Sequence, residues 1–150
     1  MTLFAYSSLA PGAKRVIVVG CGGLGSVLAG ELAEAGHRVR VMDRKREALD
    51  TLPPGFVSDG VITPVLGDGT SEADLLRASI RDADLFIAAT GSDATNALAG
   101  QMAQYLFDIQ TAVCRIDEPS RKSLYEGLGL VAISATSMAA AAIMTTTRSD

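Results

Sequence analysis

A chain of 150 residues, 48% of them apolar, with a formal charge of −4, has enough material for one ordinary hydrophobic core. Its acidic balance gives no electrostatic case for nucleic-acid binding, and no uninterrupted apolar run of about 18 residues marks a membrane span. Two cysteines, Cys21 and Cys114, far apart in sequence, suit a reduced cytoplasmic protein better than a disulfide scaffold.

The opening stretch MTLFAYSSLAPGAKR lacks the positive charge that precedes the apolar patch of a secretory signal. Residues 1–13 are therefore expected to be a flexible arm, 14–145 the folded domain and 146–150 a frayed tail. Arg15–Val19 (RVIVV) reads as a buried strand. From Leu24 the apolar positions Val27, Leu28, Leu32 and Ala35 fall at helical spacing, and Gly36 stops that helix. Residues 38–42 (RVRVM) form the second expected strand, and a polar helix over 45–52 ends at Pro53 and Pro54. Ile62–Leu66 is the third strand and runs into GDGT at 67–70. Ser71 or Thr70 caps a short helix over 71–79, with acidic Glu72 and Asp74 in its first turn.

Residues 84–89 (DLFIAA) make a fourth strand. A helix follows with Ala99, Met102, Ala103 and Leu106 on one face. Residues 111–116 form a fifth strand, 120–126 a helix, 130–133 a short sixth strand and 137–144 the last helix. Each return between parallel strands needs a crossover, so this alternation predicts an α/β fold. The expected architecture is a single-domain, doubly wound, six-stranded parallel sheet in the order 3-2-1-4-5-6.

The turn after the first strand, VVGCGGLGS, carries G-x-G-x-x-G through Gly20, Gly22 and Gly25. Alone the pattern is weak. Here it follows a strand, opens an amphipathic helix and lies in a unit of about 30 residues, the context a dinucleotide fold requires. Gly20 permits the turn, Gly22 lets a pyrophosphate approach the backbone, and Gly25 lets helix and strand pack closely. The amides at Gly23 and Leu24 then face the phosphates. Asp43 stands at the end of the second strand, 18 residues beyond Gly25. A carboxylate there accepts hydrogen bonds from both ribose hydroxyls and repels a 2′-phosphate, which favours NAD(H), or an adenosine nucleotide with a free ribose, over NADP(H). Arg44 can stack on adenine or answer a phosphate.

The parts of an enzyme are scarce. His37, the sole histidine, falls in the turn before the second strand, at the sheet edge opposite the one where ligands bind. Cys21 is either packing or a thiol activated by helix-terminal amides, and packing fits its place in the motif better. Cys114 alternates with Val113 as a small core residue. No C-x-x-C, H-E-x-x-H or G-x-S-x-G occurs, so neither metal-ion nor acyl-transfer chemistry is supported.

Taken with GDGT, ATGSDATN at 89–96 and CRIDEP at 114–119, the chain resembles the KTN/RCK (TrkA-N) nucleotide-binding domain. That domain is the N-terminal half of Trk- and Ktr-type potassium-uptake regulators, and the likeness covers residues 14–144. The resemblance implies that Asp68, Gly69 and Thr70 lie near the adenine, and that Thr90 and Gly91 border the far ribose and phosphates. Arg115 matches the family's arginine and would contact phosphate or a neighbouring subunit. From the residues alone, a salt bridge from Arg115 to Asp117 or Glu118 competes with that role. Glu126 matches an acidic position of the family. Glycine at Gly23 replaces an arginine that grips a terminal phosphate in some members, which favours NAD(H) over ATP, with ATP, ADP and AMP kept as alternatives. The family's smaller C-terminal domain has no counterpart within these residues.

The implied function is an NAD(H)- or adenine-nucleotide-sensing regulatory subunit of a potassium or other cation uptake system, not an enzyme. Its partner would be a membrane transporter subunit at the inner face of the plasma membrane. Assembly as a homodimer or larger ring would use the last helix, unless that helix simply lies on the sheet. The rival readings are the nucleotide-binding domain of an NAD-dependent oxidoreductase lacking its substrate domain, and a module of another efflux or exchange system.

Overall fold

β1 and β4 carry near-continuous apolar runs, and their burial explains why. The computed structural model describes residues 9–148, so parts of the expected arm (1–8) and tail (149–150) lie outside the described residues. β1 (Arg15–Val19), β2 (Arg38–Asp43), β3 (Ile62–Leu66), β4 (Leu85–Ala88), β5 (Ala112–Arg115) and β6 (Val131–Ile133) form one sheet. Its order is β3-β2-β1-β4-β5-β6, and every pairing is parallel. This is the doubly wound arrangement expected from the alternation of elements. β1 sits at the centre with both faces covered: Val16, Ile17 and Val18 are wholly buried, so no alternating pattern is needed there. β3 is an edge strand bonded only to β2, which is why it tolerates Pro64, a residue with no N–H to give a further neighbour.

Side chains alternate between two cores. Val16, Val18, Val39, Val41 and Ile87 pack beneath α1 (Gly23–Glu34). Ile17, Val19, Met42 and Phe86 pack on the other face with Ala99, Ala103 and Phe107. α1 does not bury the stripe that apolar spacing predicts. Its inward line is Gly25, Ala29 and Ala33, flanked by half-buried Leu24, Leu28 and Leu32, while Val27 is 57% exposed. Small residues win the inner line because the helix starts almost on top of the end of β1. A Cβ on Gly25 would collide with the carbonyl oxygen of Gly20, and Gly20 itself has φ +101° and would set its own Cβ 2.9 Å from the Thr90 nitrogen.

Other departures have local causes. The polar helix expected over 45–52 is only α2 (Arg46–Leu49), and a second short helix, α3 (Pro54–Ser58), follows. α2 ends at Leu49, ahead of both prolines, and Pro54 instead starts α3, because a first-turn residue has no intrahelical use for its N–H. Ser71 caps α4 (Glu72–Arg77), accepting from Asp74 N at 3.2 Å. A one-turn 3₁₀ segment, Ile80–Asp82, leads into β4. α5 (Asp93–Phe107) is capped by Ser92 and buries Asn96, Ala97, Ala99, Gly100, Ala103 and Phe107. Leu106, predicted inward, is 50% exposed, because Phe107 takes the core position at the helix end. α6 (Pro119–Gly127) precedes β6, and α7 (Ala135–Thr147), capped by Ser134, runs three residues past its expected end and buries none of its residues. None of the described helices is long and apolar enough to cross a membrane.

Gly25→Ala is expected to cost about 1–3 kcal/mol through overpacking, read as a lower urea midpoint. Gly22→Ala adds a Cβ into open space and is expected to leave the midpoint nearly unchanged.

Candidate functional site

Because β1 and β4 are neighbours whose chains leave in opposite directions, a crevice opens between their C-terminal ends. The ladder continues into it: Gly20 N donates to Met42 O at 2.7 Å, and Ala89 N donates to Val19 O at 2.8 Å. A cavity of about 200 Å³ lies at this edge, lined in part by Gly20, Asp43, Arg44, Asp68, Gly69 and Thr90. The structure therefore brings together residues predicted from four separate loops. Gly22 and Gly23 are exposed beside it, at the start of α1, where no side chain caps the helix. Thr70 and Gly91 adjoin the lining loops without lining this cavity, and Leu24 and Arg115 face a second cavity.

Asp43 is the fixed point of the crevice. Its Oδ2 accepts from Cys21 N at 2.9 Å and its Oδ1 from Lys45 N at 2.8 Å. One carboxylate thus ties the glycine loop to the end of β2, and each oxygen keeps lone-pair capacity for a further donor. Asp68 folds its own turn, accepting at Oδ1 from Thr70 N at 2.8 Å and Thr70 Oγ1 at 2.7 Å. The Thr70 hydroxyl and N–H hold the Asp68 carboxyl below the ordinary carboxylate value. Thr70 is accordingly a brace for the loop. Thr90 is braced as well: its N–H and hydroxyl both donate to Asn96 Oδ1, at 2.9 and 2.6 Å.

The residues fit a nucleotide on observations of this chain alone. The first amides of α1 have no side-chain acceptor, the space at Gly22 and Gly23 is open, and a carboxylate with spare acceptor capacity stands across the loop. Uncapped amides at a helix start suit phosphate, and a carboxylate suits a ribose diol.

On the far side of β4, Arg115 Nε donates to Asp117 Oδ2 at 2.8 Å, the salt bridge anticipated as the alternative to phosphate contact. Asp117 Oδ1 accepts from Ala135 N at 3.1 Å and Thr136 N at 3.4 Å, at the start of α7. Asp93 in turn accepts from Asp117 N and Glu118 N, both at 2.9 Å.

Residues 16–146 match the TrkA-N domain family. The chain belongs to the TrkA-N domain family. It is 32% identical over 116 residues to the Trk system potassium uptake protein TrkA of Streptomyces coelicolor, covering 77% of this chain and 50% of that protein. It is 34% identical over 111 residues to a TrkA homolog of Pyrococcus abyssi, covering 74% and 47%. The chain thus spans about half the length of these relatives. Among solved structures, the TrkA-N domain of Escherichia coli inner membrane protein YbaL superposes with a TM-score of 0.76 at 15% identity, covering 91% of this chain and 98% of that one. The Kef CTD of Shewanella denitrificans in its AMP-bound form gives 0.74 at 20%, covering 90% and 82%. The GsuK channel bound to NAD gives 0.64 at 17%, covering 85% and 22%. At these identities the superpositions establish the fold.

Within this TrkA-N domain, the cysteines are packing residues. Cys21 is 3% exposed and donates to Ala48 O. Burial, assisted by the Asp43 charge, raises its thiol against the lowering effect of Thr51. Burial pushes the Cys114 thiol up to about 11. His37 sits at the opposite edge, where its Nδ1 accepts from Lys14 N at 2.9 Å. The sequence assigns no task to Lys45 and Thr95, which line the crevice, and places Asn96 only as the last residue of the ATGSDATN segment, not as a brace. The signal for Asn96 was an amide on an otherwise apolar, alanine-rich helix face. Such a residue is retained only when its hydrogen bonds are met.

Three carboxyls of these loops lie below their ordinary value. Burial raises Asp93, but the Asp117 and Glu118 amides and nearby arginines outweigh it. Asp68 is lowered by Thr70, and Asp74 by the Asp68 amide and Arg77. A depressed folded pKa contributes stability above the unfolded value and loses it as pH falls through the folded one. The urea midpoint is expected to hold from neutral pH to about 5 and to drop below about 4. Asp93→Asn is expected to lower the neutral midpoint and flatten the acid drop.

Proposed function

We propose that this chain is the nucleotide-sensing module of a potassium-uptake regulator, with NAD(H) as its first-choice ligand and ADP, AMP or ATP as alternatives. The observation that carries the reading is the Asp43 carboxylate, held by Cys21 and Lys45 amides across from the uncapped start of α1. The amides of Gly22, Gly23 and Leu24 would hold the phosphates, Asp43 the ribose, and Arg44 with the Asp68–Thr70 turn the adenine end. Thr90 and Gly91 would border the second half of a dinucleotide. Family membership supports the transport role, and the AMP- and NAD-bound neighbours support the ligand class.

A sensor fits better than an oxidoreductase. The sole histidine lies at the far edge of the sheet, and both thiols are raised by burial. Sensing requires that the ligand bind one state of an assembly better than another. α7 is the element to pair copies: it buries none of its residues and is apolar around its circumference, with Met138, Ile143 and Met144 63%, 63% and 52% exposed, and exposed apolar surface of this kind calls for a partner. The reading is a homodimer or larger ring, docked on a membrane transporter subunit at its cytoplasmic side.

Calorimetric titration with NAD, NADH, NADP, AMP, ADP and ATP tests the ligand class; binding of none overturns it. Asp43→Ala is expected to weaken NAD by about 1.5–3 kcal/mol and to narrow the preference for NAD over NADP, since the carboxylate no longer repels a 2′-phosphate. Equal loss for both dinucleotides would mean that Asp43 does not face the ribose. For the assembly, Ile143→Asp is expected to convert dimer to monomer in sedimentation.

A further inference from the structure

In the turn that follows β3, nearly every amide already has a partner. Gly67 N donates to Asp43 O at 2.9 Å, and Ser71 N to Asp68 O at 3.0 Å. Thr70 N and Oγ1 both use Oδ1 of Asp68. Asp68 N donates to Asp74 Oδ2 at 2.8 Å, and Asp74 Oδ1 accepts from Arg77 at 3.0 Å. The same Arg77 nitrogen donates to Leu66 O at 2.9 Å, which clamps α4 over the turn. A Cβ on Gly67 would meet Asp74 and Arg77 at 3.1 Å, and one on Gly69 would run into Val19. The turn is held from both sides.

Two groups are left over. Gly69 is buried, and its N–H has no protein acceptor among the described residues. A buried amide of that kind is rare unless something else binds it. Asp68 Oδ2 likewise has no protein donor among the described residues. Both residues line the crevice cavity, so one donor stands beside one acceptor. Adenine offers the complement, a ring nitrogen that accepts beside an amino group that donates. Guanine carries a carbonyl oxygen where adenine has that amino group.

We propose that Asp74, which does not itself line the cavity, is a positioning residue that makes this turn a reader of the base. By taking the Asp68 N–H it leaves the turn one amide and one carboxylate oxygen, the pair that an adenine edge completes. A 6-oxo purine sets its carbonyl against the carboxylate and leaves both partners unpaired, which is how a hydrogen-bonding site rejects a near-isostere. Without Asp74 the freed Asp68 N–H becomes a second donor, and a carbonyl at that position is no longer penalised. Base selectivity is then set by a side chain that touches no ligand. This inference rests on the nucleotide reading above.

The test titrates the full chain with ADP and with inosine diphosphate, which carries a carbonyl in place of the adenine amino group. The wild-type chain is expected to bind ADP about tenfold more tightly or better. Asp74→Ala is expected to weaken ADP severalfold and spare inosine diphosphate, bringing the ratio to about twofold or less. Asp74→Asn keeps an oxygen for the Asp68 N–H and is expected to keep the preference. Asp68→Asn puts an amino group where the free oxygen stands and is expected to reverse it; this variant carries the test if Asp74→Ala does not fold. Equal affinity of the wild-type chain for the two diphosphates would overturn the base reading while the nucleotide reading stands. So would an equal loss of both in Asp74→Ala, the mark of a merely structural role, or an unchanged preference in Asp68→Asn. Failure of both diphosphates and of NAD to bind the wild-type chain would remove the nucleotide reading and this inference together.

Discussion

The closeness of α1 to the end of β1 governs the rest of this molecule. Gly25 lies against the Gly20 carbonyl with no room for a side-chain carbon, and that contact fixes where the helix begins. Everything at the crevice follows from it. The first amides of α1 are left without a side-chain cap, Cys21 N comes within reach of Asp43, and the inward line of α1 must consist of small residues as far as Ala33. A helix set one side chain further away would bury more leucine and lose the loop. Packing and binding geometry are one constraint here.

The sheet was legible because its signals are strong and redundant. Runs such as RVIVV, glycine at Gly36 with φ +95°, and the alternation with helices all point to the same topology. What failed was the orientation of individual helices. Apolar spacing names the leucines of α1 and Leu106 of α5 as inward, because hydrophobicity scales weigh bulk. At these two places the available distance selects alanine, glycine or a terminal phenylalanine instead. Pro54 was misread for a related reason: it disrupts a helix interior yet suits a first turn, and only tertiary context decides which position it occupies.

The same contrast holds at the site. Gly20, Asp43, Arg44, Asp68, Gly69 and Thr90 converge on one cavity, and each was named from a motif at a strand end. Residues that hold the loops in shape were harder to see. Thr70 spends its hydroxyl on Asp68, and Asn96 satisfies Thr90. These tasks depend on where turns fold back, which spacing in one sequence does not encode. Asp117 is the clearest case. In sequence it was only a candidate partner for Arg115, whereas in space it also meets a helix 18 residues further on.

Asn96 has a mechanical consequence as well. Its amide nitrogen donates to the carbonyl oxygens of both Thr90, at 3.0 Å, and Arg115, at 2.9 Å, while its oxygen takes the Thr90 N–H and hydroxyl. A wholly buried side chain with its donors and acceptor engaged acts as a rivet through the tops of β4 and β5. Those two strand ends move as one piece or not at all.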